Sequence, residues 1–398
     1  MEKKKKDNKW MRPRHRFIRN LAVLVLAPIS WLRYGIRVER FRDQGDRAYL
    51  ILMNHQTAFD QFFVGMAFRG PVYYIATEDI FSLGWISRLL RWAVAPIPIK
   101  KQTTDISAVM TCIRMAREGG TIALAPEGNR TYSGRTVHMN PAIAKMARKM
   151  KLPIALFRIE DGYGVQPRWS DGTRKGRMTG RVSRVIEPEE YAAMTDAALI
   201  ETIREGLYVD EARITGEFRC RARAEYLERA VYVCPECGFS KFESHGHEIR
   251  CTGCGRKAVY SKDKTLSGDF PFPFVAQWYD YQENFVNRYD PMAHLEAPIF
   301  RDKATVSRVI VYSHKERIAK DMPLELYGDR VVMGDTVLHF DDISAAACLG
   351  RNKLNLYHGK DVLQFKGDKR FNALKYVNLY FRYRNITRGD ENGKFLGL

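Results

Sequence analysis

The most chemically loaded stretch of the chain is Asn54-His55-Gln56-Thr57-Ala58-Phe59-Asp60, which follows the apolar run Tyr49 to Met53. A carboxylate on one imidazole nitrogen fixes the tautomer and leaves the other nitrogen to take a proton, which is what a general base requires. On one continuous helix, residues five apart lie ~140° apart and do not meet. His55 and Asp60 meet if His55 sits on the loop leaving a strand and Asp60 in the first turn of the next helix. The sequence offers that break. On its own such a pair is commonly a structural histidine satisfied by a neighbouring acid. A second polar turn, Ala125-Pro126-Glu127-Gly128-Asn129-Arg130, ends the apolar run Thr121 to Ala125. Gly128 permits close backbone approach, and Arg130 brings a forked donor suited to phosphate. Glu127 fits a hydrogen bond to a substrate hydroxyl or a partner that holds Arg130; a plain turn with a surface ion pair would use the same residues.

A third constellation is Cys234-Pro-Glu-Cys237 and Cys251-Thr-Gly-Cys254, each pair followed by a glycine and separated from the other by thirteen residues. Two tight CxxC turns aim four thiolates at one ion and complete the closed S4 shell of structural Zn²⁺, with no open position for catalysis. His245 and His247, between the pairs, read as exposed. Cys112 and Cys220 belong to no such motif and read as small buried residues. Seven cysteines used this way suit a reducing compartment better than a disulfide framework.

Short apolar strands alternate with helical patterns across the first half. Tyr49 to Met53, Pro71 to Ile75, Ala95 to Ile99, Thr121 to Ala125 and Lys151 to Ile159 read as strands, Asp105 to Arg117 and Thr195 to Arg213 as helices. The expected fold is α/β, a mostly parallel sheet with flanking helices, whose polar sites gather at the strand ends. After the cysteine pairs, Pro271 and Pro273 punctuate a linker. Trp278, Tyr281, Phe285 and Tyr289 then fall at helical spacing and read as core. The last hundred residues predict hairpins turning at Gly328-Asp329, Gly334-Asp335, Gly359-Lys360 and Gly367-Asp368, closed by a helix near Asn372 to Arg382.

Taken together, the motifs of the first half resemble the glycerolipid acyltransferases, the lysophosphatidic acid acyltransferase (PlsC-like) family. The matches, in order and spacing, are His55 and Asp60; Ile97-Pro98-Ile99 before Lys100-Lys101; Pro126, Glu127, Gly128 and Arg130; and Leu152-Pro153-Ile154. They cover roughly residues 47 to 190. Departures are Lys101 where Arg is commoner, Thr57 for Ser, and Ala125 and Asn129 within the third motif. The resemblance implies a 1-acyl-sn-glycerol-3-phosphate acyltransferase, moving an acyl chain from acyl-CoA or acyl carrier protein to a lysophospholipid hydroxyl to give phosphatidic acid. It implies catalytic His55 and Asp60, and acceptor phosphate held by Lys101, Gly128 and Arg130 with Glu127 assisting. Another lysolipid acceptor stays open. The C-terminal segment loosely resembles pleckstrin-homology-like domains, by order of elements and not by motif.

Composition fits this expectation. With 65 Lys+Arg against 46 Asp+Glu the net charge is +19, which draws the chain to polyanions. Nine of those basic residues lie in the first 19, ahead of Leu21 to Leu32, an apolar stretch of 12 residues interrupted by Pro28, with Trp10 before it and Trp31 near its end. No apolar run reaches the ~18 uninterrupted residues of a spanning helix, and no small-residue cleavage site marks a signal peptide. Basic residues beside a short apolar helix suit an anionic membrane surface instead, on the cytoplasmic side. The expected organisation is a basic membrane-association segment (1–40), an acyltransferase domain (41–225), a zinc ribbon (230–262), a linker with an aromatic helix (263–300) and a β domain (301–398). A non-enzymatic zinc-ribbon protein that binds nucleic acid is the rival from another class. The mixed charge of Gly238 to Arg250 and the N-terminal concentration of basic residues weigh against nucleic acid as a partner.

Overall fold

Strands covered on both faces read as unbroken apolar runs, and such runs form the centre of the N-terminal half. The computed structural model describes residues 10–82, 84–99, 106–214, 216–310 and 313–387. A long helix α1 (Pro13–Tyr34) leads into β1 (Ile36–Val38), β2 (Leu50–Met53), α2 (Asp60–Ala67), β3 (Val72–Thr77), α3 (Trp85–Val94), β4 (Ile97–Ile99), α4 (Ile106–Arg117), β5 (Thr121–Leu124), α5 (Ala142–Met150) and β6 (Ile154–Glu160). A one-turn α6 (Gly162–Val165), β7 (Met178–Ile186), α7 (Pro188–Ala192) and α8 (Asp196–Leu207) complete this half. The sheet runs β1-β7-β6-β2-β5-β3-β4. All pairs are parallel except β6 with β7. One face packs on α4, α5 and α8 through Cys112, Ile113, Ile143 and Ile203. The other packs on α2 through Phe63, Val64 and Phe68.

The parallel-rich α/β sheet agrees with the expectation. β7, α3 and α5 were not anticipated. β7 mixes Gly180 and Ser183 with Arg181 and Arg184, and α3 and α5 are short helices that carry Arg88 and Arg91, and Lys145, Arg148 and Lys149. Pro28, expected to interrupt the N-terminal apolar stretch, lies inside α1, which continues through it for 22 residues in all. By length and composition alone α1 could cross a membrane.

The second half begins with β8 (Val233–Cys234) and β9 (Gly238–Phe239), then β10 (Phe242–His245), β11 (Glu248–Cys251), β12 (Lys257–Tyr260) and β13 (Leu266–Gly268), a four-stranded antiparallel sheet. Helix α9 (Val275–Arg288) follows, then β14 (Phe300–Val309), β15 (Lys315–Leu326), β16 (Arg330–Met333), β17 (Thr336–His339), β18 (Ile343–Leu349), β19 (Lys353–His358), β20 (Asp361–Gly367) and α10 (Leu374–Thr387). These last strands form an antiparallel sheet in the order β17-β16-β15-β14-β20-β19-β18, with α10 against β18 and β19. Three expected turns are hairpins. The fourth, Gly367-Asp368, instead leads into α10, and an unanticipated hairpin turns at Gly350, whose positive φ of 59° suits glycine. Trp278 is fully buried and donates its indole N–H to Val233 O at 2.9 Å. A single apolar core runs from Tyr132, Tyr163 and Trp169 through β10–β13 and α9 to α10.

Candidate active site

The parallel register continues past the strand ends and sets two polar turns side by side. Leu52 pairs with Leu124 across β2 and β5. Three residues on, the backbone N–H of His55 donates to Glu127 Oε1 at 2.8 Å, and Thr131 N–H donates to His55 O at 3.0 Å. Asn54, fully buried, ties the same turn to β6: its side-chain amide donates to Ile159 O at 2.8 Å and its Oδ1 accepts from Ile159 N–H at 2.7 Å. Ala58 N–H donates to Gln166 Oε1, and Tyr163 N–H to Gln56 Oε1. His55 therefore sits on a turn held from both neighbouring strands.

Asp60 opens α2, where the helix dipole favours a negative charge. It is fully buried, yet all its acceptor capacity is used. Oδ2 accepts from His55 Nδ1 at 2.6 Å and from Gln56 N–H at 2.9 Å; Oδ1 accepts from Thr57 N–H at 2.9 Å and Thr57 Oγ1 at 2.7 Å. A carboxylate on Nδ1 keeps the proton there and leaves Nε2 with a lone pair. The His55 side chain is 28% exposed, so that lone pair can be reached. Thr57, the departure from Ser, supplies a hydroxyl to Asp60 and accepts from Phe59 N–H.

Glu127 is turned inward, 2% exposed. Its two oxygens accept backbone N–H groups of His55 and Val137, at 2.8 and 3.1 Å. Burial pushes its carboxyl up to about 8, opposed by those two hydrogen bonds. It bridges two turns and makes no ion pair with Arg130 among the described residues. Gly128 is exposed with φ of 70°. Arg130 is half-buried, and its Nη1 has no hydrogen-bond partner among the described residues. Burial, then the neighbouring Arg168 charge, lowers its guanidinium to about 10, so it remains cationic at neutral pH. Lys101, expected to join it, lies outside the described residues, as does Lys100. Pro153 and Ile154 lie at the opposite end of the sheet, where Pro153 O accepts from Leu50 N–H. Sequence reasoning missed Asn54, Gln56, Gln166 and Thr131, because their partners are backbone groups that only the folded register brings near. A cleft of about 1030 Å³ between α1, β1 and β7, lined by Trp31, Arg37, Met66 and Arg177, does not include His55.

The four cysteines of the second half converge. Their Sγ atoms all lie within 4.8 Å of one another, with Cys234–Cys254 at 3.7 Å and Cys237–Cys251 at 4.0 Å. Zn–S bonds of ~2.3 Å in a tetrahedron require S–S edges of ~3.8 Å. The donor set and spacing fit that ion.

An apolar surface lies on α1 and α3, which pack on each other. On α1, Phe17, Leu21, Leu24, Val25, Trp31 and Leu32 are exposed, Leu24 by 74%. On α3, Trp85, Ile86, Leu89 and Trp92 are exposed, Trp85 by 66%. Alongside, α1 is fastened to the sheet domain. His15 Nδ1 meets Tyr73 OH at 3.1 Å, Arg14 donates to Trp92 O, and Arg19 donates to Gly65 O and Phe68 O.

The first half of the chain is similar to known proteins. The sequence model of the Acyltransferase family matches residues 36–159, from β1 through β6. The chain is 20% identical over 195 residues, 48% of its length and 92% of the relative's, to a 1-acyl-sn-glycerol-3-phosphate acyltransferase of Bacillus subtilis (strain 168). A crystal structure of the 1-acyl-sn-glycerophosphate (LPA) acyltransferase PlsC from Thermotoga maritima aligns with a TM-score of 0.39 at 18% identity, covering 48% of this chain and 75% of that one. The family match and the Bacillus relative support an acyltransferase domain in the first half of the chain.

Proposed function

We propose that the protein transfers an acyl chain from a thioester, acyl-CoA or acyl carrier protein, to the free hydroxyl of lysophosphatidic acid, giving phosphatidic acid. His55 Nε2 takes the hydroxyl proton as the oxygen attacks the thioester carbonyl. The carbon–sulfur bond breaks, and the imidazolium returns the proton to the departing thiolate. Asp60 orients the ring and stabilises its charged form; Arg130, beside Gly128 and with Lys101, holds the acceptor phosphate. Glu127 positions the His55 turn and does not touch substrate. The observation that carries the reading is the His55–Asp60 contact on a turn bonded directly to the Arg130 turn. The test is thiol release from acyl-CoA or acyl carrier protein with lysophosphatidate and with other lysolipids. The departures at Lys101, Ala125 and Asn129 bear on which acceptor is preferred.

The chain associates, on this reading, with the anionic cytoplasmic surface of the cell membrane, α1 lying in the interface with α3 beside it. The attachment of the first turns of α1 to the sheet domain through His15, Arg14 and Arg19 supports in-plane binding. The cysteine cluster holds one structural Zn²⁺ as a ribbon. The strand order of β14–β20 with α10 against β18 and β19 supports a pleckstrin-homology-like fold for the last segment.

A further inference from the structure

The junction between the two halves concentrates positive charge next to Arg130. Arg168 is 2% exposed and has no carboxylate in ion-pair range among the described residues. Its guanidinium donates instead to three carbonyls, those of Arg130 at 2.8 Å, Cys348 at 3.1 Å and Gly350 at 3.1 Å, and lies 4.1 Å from the centre of the Tyr132 ring. It thus binds the Arg130 turn to the β18–β19 hairpin. Arg351, at the tip of that hairpin, is 3.3 Å from Asp171 Oδ1. Asp171 is already shared with the buried Arg229 at 2.7 Å. Two guanidiniums therefore share the Asp171 carboxylate, while Arg168 has only carbonyls as hydrogen-bond partners among the described residues. Of the nearby acids, Asp60 partly offsets this charge at Arg130, while Glu127 gives both its oxygens to backbone N–H groups. Arg168 and Arg351 both repel the charge on Arg130, whose Nη1 is buried without a partner. Like charges held together out of water cost stability unless an anion joins them.

We propose that the β18–β19 hairpin completes the acceptor site: Arg351 and Arg130, held in place by Arg168, form a cradle for a phosphate monoester. This rests on the acyl-transfer reading above and adds to it a role for the C-terminal half. A phosphate dianion accepts forked guanidinium bonds. The Thr131–His55 hydrogen bond, one residue from Arg130, ties the Arg130 turn to the turn that carries the general base. Arg351 recognises phosphate, and Arg168 is a positioning residue.

The test compares wild type with Arg351→Gln, and with Asp171→Asn as a control for a purely structural ion pair. Arg351→Gln should raise the KM for lysophosphatidate ~10-fold with the KM for the acyl donor unchanged. It should weaken glycerol 3-phosphate binding in calorimetry by a similar factor, and Asp171→Asn should do neither. Arg168→Lys, which keeps the charge and loses the fork, should raise the same KM. If both readouts are unchanged in Arg351→Gln, or Asp171→Asn reproduces its losses, the cradle is overturned. Glycerol 3-phosphate binding that depends on Arg351, in a protein that releases no thiol with any lysolipid, would uphold the cradle and reject the acyl-transfer reading.

Discussion

At the scale of single residues, the site depends on acids whose hydrogen bonds are fully used. Asp60 accepts four donors inside the protein. Asp60→Asn turns an amide N–H₂ toward some of them and loses the preference for a proton on Nδ1. We expect kcat for thiol release to fall ~10²–10⁴-fold, with stability lower by ~1–3 kcal/mol; unchanged turnover in the folded variant would contradict this. Glu127 carries a pH signature. Folded, it keeps its proton up to about 8, whereas the unfolded chain ionises near 4.5. The stability it contributes is therefore full below the unfolded value and is lost as pH rises through the window to about 8. In Glu127→Gln, the amide nitrogen faces one backbone N–H, so the variant should be ~1–3 kcal/mol less stable at pH 5. The gap should narrow toward pH 8 in denaturant titrations, and a gap constant across that range would count against the buried, protonated acid.

At the scale of elements, strand and helix ends do the positioning. The proximity of His55 to Arg130 could be anticipated, because two parallel strands deliver their C-terminal turns to the same edge of a sheet. The inward turn of Glu127 could not, since it depends on the register that sets residue 127 opposite residue 55. The hairpin at Gly350 carried a readable signal, since Gly350 and Asn352 are both turn formers. Helix α3 escaped notice because Arg88 and Arg91 mask an apolar face made by Trp85, Ile86, Leu89 and Trp92. That face yields a prediction. Leu24→Asp on α1, and separately Leu89→Asp on α3, should each weaken binding to vesicles of anionic phospholipid ~10-fold or more in sedimentation, from lost apolar burial. Leu89→Asp binding as tightly as wild type would remove α3 from the membrane surface.

At the scale of the whole molecule, the two halves are joined. Arg168 ties the Arg130 turn to β18 and the Gly350 hairpin. Arg229 reaches Trp169 O and Asp171, and the buried Lys264 bonds Glu211 at 3.0 Å. The cysteine-bearing segment shares one apolar core with α9 and α10, so its metal should stabilise more than its own turns. We expect about one Zn per chain by elemental analysis and a lower Tm after removal by a strong chelator; a metal-free protein with unchanged Tm would reject the assignment. The sequence announced the cysteine cluster because each CxxC turn is local. The shared core was illegible, since its contacts join residues as far apart as Tyr132 and Tyr383. The central claim is that His55 activates an alcohol toward a thioester, and the most direct measurement is thiol release by wild type and His55→Ala with lysophosphatidate and acyl-CoA or acyl carrier protein. Wild type should release one thiol per phosphatidic acid formed, and His55→Ala, folded as judged by circular dichroism, should be slower by ~10²–10⁴-fold or more. Product formation by His55→Ala at the wild-type rate would contradict the account.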